Sequence, residues 1–207
     1  MSEVVTNADG KPLSKRGLDT RRRLLDAAES VFGELGYHDA SIVKLADAAG
    51  VAAGTFYLYF DSKRAIFDEL IVDLNRRVRR SMKEASSTGT TRVEAELRGF
   101  EAYLRFTAEH PVLYRIIRQA EFVSPEMLRY HYEKLAEGYI EGLSAAADAG
   151  EVRPLDAEVA VYALMGVGEM LGMRWILWGD GEPIPARVYE ELERLLRGGL
   201  EPPEASA

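Results

Sequence analysis

Ser41 is followed by Ile42, Leu45, Ala46 and Ala49 at helical spacing, and then by Gly50-Val51. Ser41 can cap a helix N-terminus, the apolar residues fall on one face at i, i+3, i+4 and i+7, and Gly50 stands where a left-handed backbone ends the helix. Val51 begins a tight turn, and a second short helix restarts at once through Thr55 and the aromatics up to Phe60. Two short helices around a glycine turn make either an ordinary αα-corner or a helix-turn-helix, whose second helix enters a major groove. Neither helix can bury a core alone, so the unit needs cover. Thr20 to Tyr37 supplies it, with Leu24, Ala28, Val31, Phe32 and Leu35 on one stripe of an amphipathic helix.

Three features favour the helix-turn-helix over the corner. Thr55, Tyr57 and Tyr59 carry hydroxyls that reach phosphates or base edges, while Phe56, Leu58 and Phe60 offer apolar anchors. Ser62 is a start signal for another helix, which places Lys63 at a positive helix end suited to holding a phosphate. Upstream, residues 11–23 hold Lys11, Lys15, Arg16, Arg21, Arg22 and Arg23 against Asp19 alone.

From Thr20 to Leu70 the chain resembles the DNA-binding domain of the tetracycline-repressor (TetR) family of one-component transcriptional regulators. The resemblance rests on Thr20 to Ala28, Phe32, Gly36-Tyr37, Ile42 to Phe60 with Gly50-Val51 and Gly54-Thr55-Phe56, then Lys63 and Phe67. It covers about a quarter of the chain. One departure is Ala52-Ala53, where the family pattern often has a serine cap and a polar or basic residue. The resemblance implies a homodimer on double-stranded DNA with a palindromic operator, repression relieved by a small hydrophobic effector, and no cofactor. Its candidate DNA contacts here are Arg21, Lys44, Thr55, Tyr57, Tyr59 and Lys63.

The net charge of −8 looks unfavourable for a DNA binder until it is divided. Residues 1–80 hold 13 Lys+Arg against 12 Asp+Glu, whereas residues 81–207 hold 13 against 22. A local basic segment governs phosphate attraction more than whole-chain charge does. The chain has no cysteine, which removes disulfides, thiolate metal sites and cysteine nucleophiles. His38, His110 and His131 have no metal-ligand spacing, and no metal site is expected. No Gly-x-Ser-x-Gly, His-Glu-x-x-His or Walker loop is found, so an enzyme is not expected. No run of 18 apolar residues and no hydrophobic signal core are found, so the expected setting is cytoplasmic with no membrane partner.

Period-2 alternation is absent, so the expected fold is all-α with about nine helices. Residues 1–15 read as a flexible basic arm, 16–62 as the helix-turn-helix domain, 63–200 as a ligand-binding and dimerisation domain, and 201–207 as a frayed tail. After the helix opened by Ser62 come the polar loop 86–90, a capping box at Thr91 to Glu94, Pro111, Ser124-Pro125-Glu126, Asp156 and Pro185 as further start signals. Gly179-Asp180-Gly181 separates the last two helices.

The helix from Ala157 to Trp178 is apolar nearly all round. With Gly168 and Gly172 one turn apart, and Val188, Leu192, Leu195 and Leu196 following, it suits a two-fold four-helix interface. Tyr103, Phe106, Tyr114, Phe122, Tyr130 and Met173 read either as core or as the lining of an effector cavity, with Arg118, His131 and Glu169 as its polar members. Arg118 and His131 would suit the anionic end of an acyl thioester, whereas Glu169 would suit a cationic aromatic drug. The alternative for Glu169 is an ion pair with Arg174. A helical interaction module without DNA binding is the remaining alternative, and it leaves residues 41–60 unexplained.

Overall fold

The computed structural model describes residues 6, 8, 10–179 and 182–202. Positions 180–181 of the expected glycine break, most of the first nine residues and 203–207 of the expected tail lie outside the described residues. Among those described there are nine α-helices and no strand.

Residues 1–74 and 115–131 form one compact unit. Helix α1 (Lys15–Asp39) starts five residues earlier than its apolar stripe suggests, because Ser14 accepts the Gly17 amide and caps it; the helix is broken at Gly36 (φ 77°). Its buried face includes Leu24, Ala28, Val31 and Phe32; α1 packs on α2 (Ile42–Ala48), and α2 packs on α3 (Ala53–Phe56). Ser62 caps α4 (Lys63–Ser86) through the Ala65 amide, and Ile66, Phe67, Leu70, Ile71 and Leu74 are buried. Phe32, Tyr37 and Phe67 pack ring to ring at 5.1–5.7 Å, Phe67 edge-on to the other two and Phe32 stacked on Tyr37, both arrangements that ring quadrupoles favour. The described part of the arm is not free: Thr6 bridges Pro12, and the Ala8 amide donates to the Leu58 carbonyl at 3.0 Å.

Residues 75–114 and 132–207 form the second unit. It contains the C-terminal half of α4, α5 (Arg92–Glu109), the first residues of α6 (Val112–Val123), most of α7 (Pro125–Asp148), α8 (Ala157–Gly172) and α9 (Ala186–Leu200). The core of this unit gathers Val93, Phe100, Leu104, Leu143, Val161, Leu192 and Leu196. This division differs from the domain boundary expected at residue 62, and α4, α6 and α7 run through both units.

Helix α8 continues into a π-helical turn, Met173–Leu177. Together they are long and apolar enough, by length and composition, to cross a membrane, with a mean hydropathy of 1.3. Glu158, Glu169 and Arg174 interrupt this segment, and its apolar residues divide between two faces. Val161, Gly168 and Gly172 are buried. Val159, Tyr162 and Met170 are exposed at 66%, 45% and 55%, and exposed Ala163 and Gly166 complete the stripe between them. The glycine pair therefore corrects the sequence reading. It faces the chain's own Phe100, Tyr103 and Tyr114, and the free apolar stripe lies elsewhere on the helix.

Candidate nucleic-acid interface and ligand site

The Lys44 amide donates to Ser41 Oγ at 3.2 Å and starts α2. Gly50 adopts φ 65°, and the Val51 amide returns to the Ala46 carbonyl at 2.9 Å, which is the glycine-terminated helix end expected here. Ala52 contributes no side-chain cap to α3. Phe56 and Phe60 are buried, with rings 5.7 Å apart, and hold the second helix by its inner side. That anchoring turns Tyr57 and Leu58 outward at 53% and 55% exposure, while Thr55 and Tyr59 are half-buried. Lys44 is exposed and uses its amine on the Asp39 carbonyl at 3.0 Å, leaving two protons for another acceptor.

Two expected DNA contacts are placed differently. The Lys63 amine donates to the carbonyls of Tyr37 at 2.7 Å, Ala40 at 2.8 Å and His38 at 3.4 Å, and lies 4.4 Å from the Tyr37 ring centroid. Its tip is occupied by the end of α1, whose last carbonyls lack helical partners. Arg21 pairs with Glu69 and lies 5.1 Å over the Phe60 ring, with 16% of its side chain exposed. It braces the unit from within. Arg23, which the sequence did not single out, donates to the Gly50 carbonyl at 3.3 Å and so supports the turn between α2 and α3.

The expected ligand residues fall in both units. In the second, the Tyr114 hydroxyl donates to the Tyr103 hydroxyl at 3.1 Å, and burial pushes both phenols above their usual range. A Cβ on Gly172 would meet the Tyr114 hydroxyl at 1.6 Å, so this glycine leaves room for that ring. Met173 is buried at the start of the π turn. Phe106 is buried against His110, ring centroids 4.6 Å apart. Both Glu169 carboxylate oxygens accept from the Tyr132 hydroxyl at 2.9 Å, whereas Arg174 lies over the Trp175 ring at 5.4 Å. The expected Glu169–Arg174 ion pair is not formed.

In the first unit, Arg118 is exposed and Tyr130 half-buried. Phe122 is 82% exposed and lines no interior, because it sits on the outer side of α6. Burial pushes the His131 imidazole down to about 4. A neutral imidazole cannot serve as the cation expected of it. Also in this unit, Arg115 of α6 donates to the Gly33 carbonyl at 3.1 Å, and Gln119 accepts the Tyr37 amide. These residues tie α6 to the end of α1.

The sequence model described as "Bacterial regulatory proteins, tetR family" matches residues 24–70, the helices just described. The HTH-type transcriptional regulator YdgC of Bacillus subtilis is 33% identical over 195 residues, covering 92% of this chain and 97% of its own. The chain belongs to the TetR family of transcriptional regulators. As a TetR-family protein it is a DNA-binding transcriptional regulator. The fatty acid metabolism regulator protein of Bacillus subtilis is 26% identical over 183 residues, covering 85% of this chain and 93% of that one. The structure of FadR from Bacillus subtilis in complex with stearoyl-CoA superposes with a TM-score of 0.77 at 23% identity, covering 86% of this chain and 98% of that one. At that identity the likeness is one of fold.

Proposed function

We propose that this TetR-family regulator is a homodimeric repressor that reads an inverted-repeat operator and is released by a fatty-acyl thioester. The observation that carries the reading is the polarity of α3. Phe56 and Phe60 anchor one side, and Tyr57, with Thr55, Tyr59 and Lys44 around it, is presented to a groove. The uncapped start of α3 leaves amide donors for phosphate in place of a serine oxygen.

The exposed stripe of Val159, Tyr162, Ala163, Gly166 and Met170, with Leu195 of α9 at 65% exposure, supports dimerisation. A monomer would leave this apolar surface in water. A two-fold dimer sets its recognition helices in half-sites about 34–36 Å apart, or a multiple of that.

The fatty acid metabolism relative supports an acyl effector, and the occupation of Glu169 by Tyr132 removes the feature that favoured a cationic drug. Tyr114 and Arg115 are neighbours on α6, one packed against Tyr103, the other bonded to Gly33. A ligand bound among the helices of the second unit need only favour a dimer whose recognition helices are misplaced for the groove. Taking the protein from mostly competent to mostly incompetent needs ~5.5 kcal/mol of differential affinity.

The test is fluorescence anisotropy on the operator fragment recovered by footprinting. Palmitoyl-coenzyme A should release the wild type, and Tyr57→Ala should lose operator affinity with an unchanged melting curve. A monomer bound to one unrepeated half-site, or binding indifferent to every acyl thioester offered, would refute the reading.

A further inference from the structure

A cleft of about 600 Å³ opens in the second unit between the C-terminal half of α4, the start of α5 and the middle of α7. Arg76, Arg79, Arg80 and Lys83 line it from α4, Arg92 from α5 and Lys134 from α7, against only two lining carboxylates, Glu96 and Glu141. Three of these cations, Lys83, Arg92 and Lys134, belong to residues 81–207, where acids outnumber bases by 22 to 13. A general scatter of surface charge does not produce that concentration.

Two simpler accounts of the α4 cations fall short. Complementing the helix dipole accounts for cations in the last turn alone, and α4 ends at Ser86, ten residues beyond Arg76. A solvated face would be convex, and like charges three and four residues apart on it repel one another. Here three helices wall a concavity instead. Some cations are compensated: Arg80 pairs with Glu84, Arg92 with Glu96 and Lys134 with Glu137. Arg79 and Lys83 are both exposed, and Arg79 shares the field of the Glu137 carboxylate, whose direct partner is Lys134. The Arg92 Nε is buried without an acceptor. Phe100, Leu135 and Tyr139 give the cleft an apolar floor.

We infer that this cleft binds a small molecule carrying two or more phosphate groups, through the exposed cations Arg79 and Lys83 with Arg92 on the opposite wall. Guanidinium forks match phosphate oxygens in pairs, and ammonium groups add charge without fixed geometry. The volume lies in the range of small-molecule sites, and the apolar floor accepts the uncharged part of a nucleotide. Two sources share this chemistry: the nucleotide end of a coenzyme A thioester, and a free nucleotide. The first deepens the effector proposed above and rests on it. The second does not.

The experiment is titration calorimetry of the full-length protein with adenosine 3′,5′-bisphosphate, pyrophosphate, palmitoyl-coenzyme A and palmitate. It is run on the wild type and on Arg79→Gln/Lys83→Gln, two exposed positions. The bisphosphate should bind with an affinity that falls steeply with salt, and the double variant should weaken it about tenfold or more. Palmitoyl-coenzyme A should weaken by the same factor and palmitate not at all if the source is the thioester. A bisphosphate that binds and responds to the variant, in a protein that palmitoyl-coenzyme A does not release from DNA, would uphold the cleft and refute the effector. Absence of bisphosphate binding at millimolar concentration, or equal binding by wild type and variant, would overturn the assignment. Should the Gln variant melt early, Arg79→Lys alone, which keeps the charge but removes the fork, must still weaken the bisphosphate.

Discussion

Replacing Lys63 by methionine separates a structural lysine from a DNA contact. Methionine keeps most of the stem and removes the ammonium. The native amine has two short bonds, to Tyr37 and Ala40 at 2.7 and 2.8 Å, one long bond to His38 at 3.4 Å, and the Tyr37 ring beneath it. A hydrogen bond to a charged group is worth about 1.5–3 kcal/mol. The site is half-buried, so water replaces part of what is lost, and the low end of that range applies to the two short bonds. Lys63→Met should therefore destabilise the protein by about 2–3 kcal/mol, because the last carbonyls of α1 lose their donor. Urea unfolding followed by far-ultraviolet circular dichroism should show a lower midpoint with an unchanged slope. Operator binding, measured where both proteins are folded, should keep its dependence on salt. A phosphate contact would behave in the opposite way, with stability within about 0.5 kcal/mol of wild type and a salt slope reduced by about one. That outcome would refute the capping role.

Protonating His131 in the folded protein is opposed by its burial, which lowers its pKa from 6.5 to about 4. Between those values the unfolded chain binds the proton and the native state does not. Its contribution is thus fully present above pH 6.5 and is lost as pH falls toward 4, by about 3 kcal/mol in all. His131→Leu should flatten the stability profile across that window, and an unchanged profile would show that another group is responsible. Gly172→Ala should destabilise the second unit by about 1–3 kcal/mol through the clash with the Tyr114 hydroxyl. Adding Tyr114→Phe should recover part of the loss in a double-mutant cycle, and strict additivity would argue that the two positions do not meet.

The elements legible in the sequence are those set by neighbours three or four residues away. Ser41, Ser62, Thr91 and Asp156 each accept the amide three residues on, and each starts a helix where its pattern indicates one. Gly50 ends α2 for an equally local reason, its positive φ. The alternation of buried and exposed residues from Phe56 to Phe60 follows from a short helix anchored by its aromatic rings, so the outward position of Tyr57 was also readable.

The corrections at Lys63, Arg21 and Glu169 involve distant partners. Lys63 meets carbonyls 23–26 positions away, Arg21 meets Glu69 across 48, and Glu169 meets Tyr132 across 37. No periodicity in one segment encodes which polar group another segment will bring to it. The same holds for Gly168 and Gly172, which a helical pattern marks as close-approach positions without saying which neighbour approaches. The basic cleft draws its cations from three helices, which no pattern within one segment brings together. Local hydrogen bonding and side-chain period determined the helices and the reading unit. Packing decided which distant charges were paired, which stripe of α8 stayed exposed and where cations of three helices met around a cavity, because those depend on surfaces that exist only once the helices are assembled.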